Sequence, residues 1–436
     1  MITRLIAALS LLLLACPAIA SDAPQAHCGI GTYHLPGGDV IDIGRTSGER
    51  LRWRKFDGTT GALTNTDGVW KSTAGWTDKP DGIEVRFACE EQTLRFGDAL
   101  ARRLPLVVEE SRFTAADVEL AGRLLMPPGN RKVPIVILVH GSEDSSALDF
   151  YAEQRLLPAR GVGVFVYDKR GTGASGGKYT QDFPLLADDA VAAMREARRL
   201  AGTRAKRVGY FGTSQGGWVA PLAARRAPVD FVIVGYGLAV SVIDEDLQAI
   251  ELEMRLKGHD PATIAKAHEV AKAAHVVIES GFTQGFEGFD AVRARYRDEP
   301  WYRDLHGNFT HFFLGMSETQ LRAAARQFDW KTPWRYDPMP ELRSLDVPQL
   351  WVLGEDDLDA PSAETARLLG GLITAGKPIT VAMFPGAEHG MTEFEIAADG
   401  SRVSTWYSPG YFDILRDYAL KGRVAGRYGR ARLTRP

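Results

Sequence analysis

Ser214 is the residue whose setting most plainly allows chemistry. It stands in Gly212-Thr-Ser214-Gln-Gly216, directly after the short apolar run that starts at Val208 and ahead of a helical stretch. A serine in such a turn reads as a nucleophile elbow, where a strained backbone pushes the hydroxyl out above a sheet. The residues two before and two after must then be very small, and Gly212 and Gly216 meet that need. Any glycine-rich turn between strand and helix can also hold a serine without using it. The chemistry therefore depends on whether the chain supplies a base, an acid and donors for an oxyanion. An aspartate at this position would imply dehalogenase or epoxide chemistry; a serine implies acyl transfer.

Positioning that hydroxyl requires strands on either side of it. After Pro127-Pro128-Gly129 apolar runs alternate with amphipathic segments, the signature of parallel strands joined by crossover helices. The first such run, 133–139, is a buried central strand ending in His140-Gly141-Ser142. Backbone N–H groups of the loop after such a strand can point at the mouth of a site, so the N–H groups of Ser142 and Gln215 are the expected oxyanion donors. His140 is expected to anchor that loop. A second buried strand from Gly163 leads into Asp168-Lys-Arg170-Gly-Thr-Gly173-Ala-Ser175. Its Gly171-x-Gly173 lacks the three-glycine dinucleotide spacing, no helix opens there, and there is no Walker lysine, so it reads as a structural turn and no cofactor is expected. A helix over 183–200 follows, with Leu186, Ala190, Ala193 and Ala197 on one stripe.

Taken in order, His140-Gly141, Asp168-x-Arg170-Gly-x-Gly173-x-Ser175 and Gly212-x-Ser214-x-Gly216-Gly217 resemble the α/β-hydrolase fold superfamily. The nearest likeness is to bacterial serine esterases and the serine aminopeptidase-like hydrolases that carry an Asp-x-Arg-Gly turn, over about residues 117–239 and 345–421. The resemblance implies a doubly wound, mostly parallel sheet and a triad in the order serine, acid, histidine. The superfamily's pattern has glycine, an acid three residues later and a proline four beyond. In Gly354-Glu-Asp-Asp357-Leu-Asp-Ala-Pro361 that spacing selects Asp357, with Asp356 and Asp359 as nearby alternatives. The apolar run 379–384 leads into Pro385-Gly-Ala-Glu-His389-Gly390, which matches the loop of the catalytic histidine.

Between Ser214 and Asp357, about residues 240–340 read as helical. Ile243, Leu247, Ile250 and Met254 keep helical spacing up to a stop at Gly258, and Asp260-Pro261 opens a second helix running to Gly281. This is expected to be a helical cap over the site. Phe309, Phe312, Phe313, Trp330, Trp334 and Tyr336 either line an acyl pocket or pack cap against core. His268 and His275 lie seven apart on the second helix without a third ligand, so no metal is expected.

Residues 21–112 alternate with period two, as in 39–43, 49–55 and 82–87, and predict a small antiparallel β-domain, sandwich or barrel. Gly37-Gly38, Asp57-Gly58, Asp67-Gly68 and Asp81-Gly82 are its expected hairpin turns. Trp53, Trp70 and Trp76 either line a binding face or, as is expected of most, pack in its core. Roughly 90 residues are too few for a β-propeller. Ahead of this domain, Arg4, an apolar run and Ala18-Ile19-Ala20 form a signal peptide over 1–20. A lipobox-like Leu13-Leu14-Ala15-Cys16 offers the alternative of a lipoprotein anchored through Cys16. Cleavage after Ala20 leaves two of the three cysteines, Cys28 and Cys89, which in a periplasmic or secreted protein suggests one disulfide worth ~3–4 kcal/mol.

A net charge of −3 gives no basic footprint for nucleic acid, and no run approaches the length of a permanent membrane span. The arginines from Arg423 to Arg435, set among glycines, read as a frayed tail. The remaining domain, 113–436, is expected to be an exported serine hydrolase for small-molecule esters of small to medium acyl chains. Because Glu143-Asp144 can hold an ammonium near the mouth, an aminopeptidase or amidase is the alternative, then a thioesterase. A binding protein with an inactive hydrolase domain is the non-enzyme reading.

Overall fold

The computed structural model describes residues 27–325 and 331–436. The expected signal peptide, Cys16 and Trp330 lie outside the described residues.

Strands β1 Gly31–His34, β2 Val40–Arg45, β3 Leu51–Lys55, β4 Thr60–Thr66, β5 Val69–Ala74, β6 Pro80–Ala88, β7 Thr93–Phe96 and β8 Ala99–Arg103 close into an antiparallel barrel. Closure comes from β1 pairing with β8 through Tyr33 opposite Arg103. It leaves no free edge. Ile41, Ile43, Leu63, Val85 and Leu94 point inward with Trp53 and Trp70, as alternation along each strand requires. Three of the expected turns join hairpins. Asp81-Gly82 does not: it lies inside β6, where the pairing with β5 slips between Lys71 and Thr73. The left-handed φ of Gly82, 77°, is used there for a bulge rather than a turn. Cys28 and Cys89 form a disulfide with Cα atoms 5.8 Å apart, fastening the entry of the barrel to the turn after β6.

The rest of the chain is built on β9 Val107–Ala115, β10 Val118–Met126, β11 Val133–Val139, β12 Gly163–Tyr167, β13 Ala205–Thr213, β14 Phe231–Gly235, β15 Gln349–Gly354 and β16 Ile379–Phe384. From β16 to β9 the order is β16-β15-β14-β13-β11-β12-β10-β9, parallel from β12 to β16, with β10 antiparallel to both its neighbours. The fold is the α/β-hydrolase doubly wound sheet. Strands β11, β12, β14 and β15 are buried at every position, and so read as continuous apolar runs rather than alternations.

The arginine-rich end is not frayed. β17 Arg432–Thr434 adds antiparallel to β16, Arg432 pairs with Glu355, and Arg430 donates to the Pro385 carbonyl and to Glu393. An edge strand of three residues needs no apolar period, because backbone bonds and ion pairs hold it.

Between β14 and β15 lie the helices Val242–Leu256, Pro261–Glu279 and Phe286–Tyr296 with shorter helical turns. They enclose their own apolar cluster around Ile250, Met254, Val270, Ala274, Phe289 and Trp301. Asp260 caps the second helix by accepting the Thr263 N–H at 2.9 Å. His275 is bonded at 2.7 Å to buried Asp246, and His268 sits 3.1 Å from the Leu247 carbonyl. Both are spoken for inside the cap. No helix among the described residues is long and apolar enough to cross a membrane.

Candidate active site

Strand β13 ends at Thr213 and the helix Gly216–Arg226 begins three residues later, so Ser214 lies at the sharpest part of the turn. Its φ is 51°, in the left-handed region that a side chain rarely adopts. Backbone bonds hold it there: the Ser214 N–H reaches the Gly235 carbonyl at 3.0 Å, and its carbonyl accepts the Gly217 N–H at 2.7 Å. The flanking glycines are required by contact. A Cβ on Gly212 would stand 2.1 Å from the Gly216 carbonyl oxygen, and one on Gly216 would stand 2.1 Å from that of Val139.

Three loops converge on this turn. The His389 Nε2 lies 3.1 Å from the Ser214 Oγ, and its Nδ1 lies 3.0 Å from one Asp357 oxygen and 3.2 Å from the other. Asp357 is buried and also accepts the Ala360 N–H. The neighbouring acids are occupied otherwise. Asp356 accepts the N–H of Gly386, and Asp359 faces the cavity above the serine. Ser142 and Gln215 line that same cavity beside Ser214. His140 anchors the first of these loops: its Nε2 accepts the Lys169 N–H at 3.0 Å while its Nδ1 meets Glu143 at 3.0 Å.

Residues 130–396 match the family described as Serine aminopeptidase, S33. The chain belongs to this family. Its fold is of the α/β-hydrolase type. Among solved structures it is similar to the acylaminoacyl peptidase of Pyrococcus horikoshii, at 15% identity over 88% of this chain and 57% of that one, with a TM-score of 0.44. The chain thus spans a little over half the length of that peptidase. It is also similar to a Pyrococcus furiosus esterase, 17% identical over 66% of this chain and 84% of the other, TM-score 0.41. A proline iminopeptidase of Mycobacterium smegmatis is 19% identical over 64% and 91%, TM-score 0.40. A search of curated proteins finds no match.

Electrostatics in this S33 site favour a charged imidazole. Burial works against the His389 cation, but the Asp357 carboxylate, with Asp359 and Glu245 behind it, outweighs burial and lifts the group to about 9. Glu245 comes from the first cap helix and lines the same cavity. Burial pushes its carboxyl up to about 8, with His389 opposing.

Glu143, the residue that raised the amine-binding alternative, is engaged elsewhere. Burial alone would raise its carboxyl; bonds from His140 and Tyr151 and the charge of Lys169 hold it at about 2. Lys169, pulled down to about 8 by burial, donates to the Gly141 carbonyl at 2.6 Å. The side chain thus ties the loop together. The acids that do face the cavity are Glu245, Glu253 and Asp359. Two came from the cap, where no sequence signal separates a cavity carboxylate from a solvated one.

Two further aromatic residues stand near His389. Tyr236, with a left-handed φ of 41°, stands edge-on to the His389 ring at 4.9 Å, backing the imidazole. Trp76 is not in the barrel core: it is 38% exposed and lines a cavity that reaches His389. The Asp168 turn is structural, its carboxylate accepting Ser146, Leu148 and Ala174 while Arg170 clamps buried Asp189 through two bonds.

Proposed function

We propose that this protein is a serine hydrolase that cleaves carboxylic esters of small to medium acyl chains, with Ser214 as nucleophile, His389 as base and Asp357 as its orienting acid. The observation that carries the ester reading is the cavity of about 390 Å³ above Ser214, walled by Phe183, Trp218, Ile278, Phe282, Phe309 and Phe313. Its size and apolar walls suit an acyl chain. Trp334 joins these walls and Tyr336 packs edge-on against Phe183, so most of the expected aromatic residues divide between pocket and packing.

The Ser214 oxygen attacks the carbonyl carbon as its proton passes to the His389 Nε2, while Asp357 holds the Nδ1–H and supports the imidazolium. The carbonyl oxygen becomes an oxyanion facing the N–H groups of Ser142 and Gln215. Collapse expels the alkoxide, which takes the proton from His389. Water, deprotonated by the same imidazole, then cleaves the acyl-enzyme and restores Ser214. The donors, base and nucleophile all border one cavity, which supports this assignment.

An aminopeptidase is the second reading, favoured by Glu245 and Asp359 in that cavity, where they would meet a substrate ammonium, and by the family's name. The Cys28–Cys89 disulfide supports export to the periplasm or beyond, where such bonds persist. The closed barrel and the doubly wound sheet support a division into a β-domain and a catalytic domain carrying the cap.

Labelling with a fluorophosphonate should mark the wild-type protein and spare Ser214→Ala; equal labelling sinks the nucleophile. Nitrophenyl esters of graded chain length, assayed beside aminoacyl amides, decide between the readings. Amide turnover without ester turnover promotes the aminopeptidase.

A further inference from the structure

We infer that the N-terminal barrel supplies one wall of a leaving-group subsite, in which Trp76 selects flat, neutral aromatic leaving groups. The direction of the substrate in this inference rests on the ester-hydrolase reading above. A second cavity, of about 370 Å³, runs from His389 to the barrel between Trp76, Phe150, Tyr151, Tyr236 and Tyr407. It borders His389 and Gly390 but not Ser214, Ser142 or Gln215; a larger cavity of about 1080 Å³ that does border Ser214, Ser142 and His389 shares Glu143, Tyr151, Tyr236 and Ser404 with it and so links it to the serine. The imidazole must hand its proton to the departing oxygen. A group leaving Ser214 past His389 enters the larger space first and extends from it toward Trp76, while the acyl part stays in the aromatic cavity over the serine.

The walls are built for a ring. Trp76 and Phe150, one from each half of the protein, are each 38% exposed although both are large aromatic side chains. The backbone at Trp76 is fixed: its main-chain N–H donates to the Ser404 carbonyl at 3.1 Å, and the preceding Gly75 carbonyl accepts from Arg52 at 2.7 Å. Tyr407 stands edge-on to it at 5.5 Å, and the Arg52 guanidinium lies 4.2 Å from its ring centre. A fixed aromatic platform loses little entropy when a ring stacks on it.

Charge decides against a cation there. Arg52 already occupies the Trp76 ring, and Arg54, buried beside Tyr407, adds a second guanidinium. Of the two carboxylates at the cavity, Glu143 is tied to His140 and Tyr151, and burial raises Glu153 toward its neutral form. A neutral ring is the ligand this environment accepts.

Two acetate esters that differ only in the alcohol, 2-naphthyl and ethyl, test the inference. Trp76→Ala should lower the naphthyl-over-ethyl ratio of kcat/KM about three- to tenfold, the range expected for one lost aromatic contact. Trp76→Phe should keep most of that ratio, and Phe150→Ala should lower it. An unchanged ratio for Trp76→Ala, even with both rates reduced, means that Trp76 only props the histidine loop and overturns the subsite. The second arm needs no turnover: calorimetric binding of 2-naphthol to Ser214→Ala and to Ser214→Ala with Trp76→Ala. A weakening of the same size supports the subsite even where wild-type ester turnover is absent, which would sink the ester reading alone. Equal affinities, or no binding to Ser214→Ala, overturn the subsite whatever the enzyme hydrolyses.

Discussion

The carboxylate of Asp42, inside the barrel wall, accepts two hydrogen bonds from Arg155 of the catalytic half, at 2.5 Å from Nε and 3.2 Å from Nη2. Both side chains are buried, and Arg54 stands 3.6 Å from the same carboxylate. The two halves of the chain are thus pinned by one anion between two guanidiniums. Removing one member of a buried pair leaves charge uncompensated, which costs about 3–5 kcal/mol. Asp42→Ala should lower the free energy of unfolding by that amount in urea titrations monitored by circular dichroism. A loss under about 1 kcal/mol would mean that the pin holds nothing.

Asp357 is the only one of the three clustered acids bonded to His389. Asp357→Asn should cut kcat about 10⁴-fold with little change in KM, because the amide disfavours the tautomer that the serine needs. Asp356→Asn and Asp359→Asn should stay within about tenfold of wild type. Steady-state kinetics on one ester read all three, and an Asp356→Asn defect as large as that of Asp357→Asn would refute the assignment.

Only a neutral imidazole can take the proton of Ser214. With His389 lifted to about 9, log kcat/KM should climb with pH and level off near that value. Asp359 and Glu245 are among the negative groups that raise it, so Asp359→Asn and Glu245→Gln should each move the climbing limb to lower pH. The same shift has a stability consequence with a fixed sign. Because the folded value lies above 6.5, the stabilisation is complete below that pH and is lost as pH rises through about 9. A rate profile already level at pH 7 would contradict this electrostatic picture.

The Cys28–Cys89 bond links residues 61 apart in sequence. Chain-entropy arguments place its contribution at about 4 kcal/mol. Cys89→Ser, or unfolding under reducing conditions, should lower the unfolding midpoint accordingly, and the loss should fall on the barrel first. Near-identical midpoints with and without reductant would exclude this.

The parts of the site that follow strands were legible in the sequence, because a buried parallel strand is a continuous apolar run and its end locates a loop. Ser214, Asp357 and His389 stand one, three and five residues past the ends of β13, β15 and β16. Glu245 was not legible: it sits in the first turn of a cap helix, where acids are favoured by the helix dipole whether or not a cavity lies above. Nor was Trp76, since period two sorts residues into inside and outside but cannot say which outside face meets another domain. Gly82 shows the same limit on a smaller scale. Its positive φ was predictable, but its use in a bulge depended on the register of β5.

The left-handed backbone at Ser214 sets two demands on one residue against each other. Such a conformation costs a residue bearing a Cβ of order 1–2 kcal/mol, and glycine would adopt it freely. With Ser214 as the proposed nucleophile, a chain with glycine at 214 would accordingly be the sturdier protein and an inert one. Screening this enzyme for thermal tolerance alone would reward variants that give up the nucleophile, so any search for hardier forms has to score turnover in the same step.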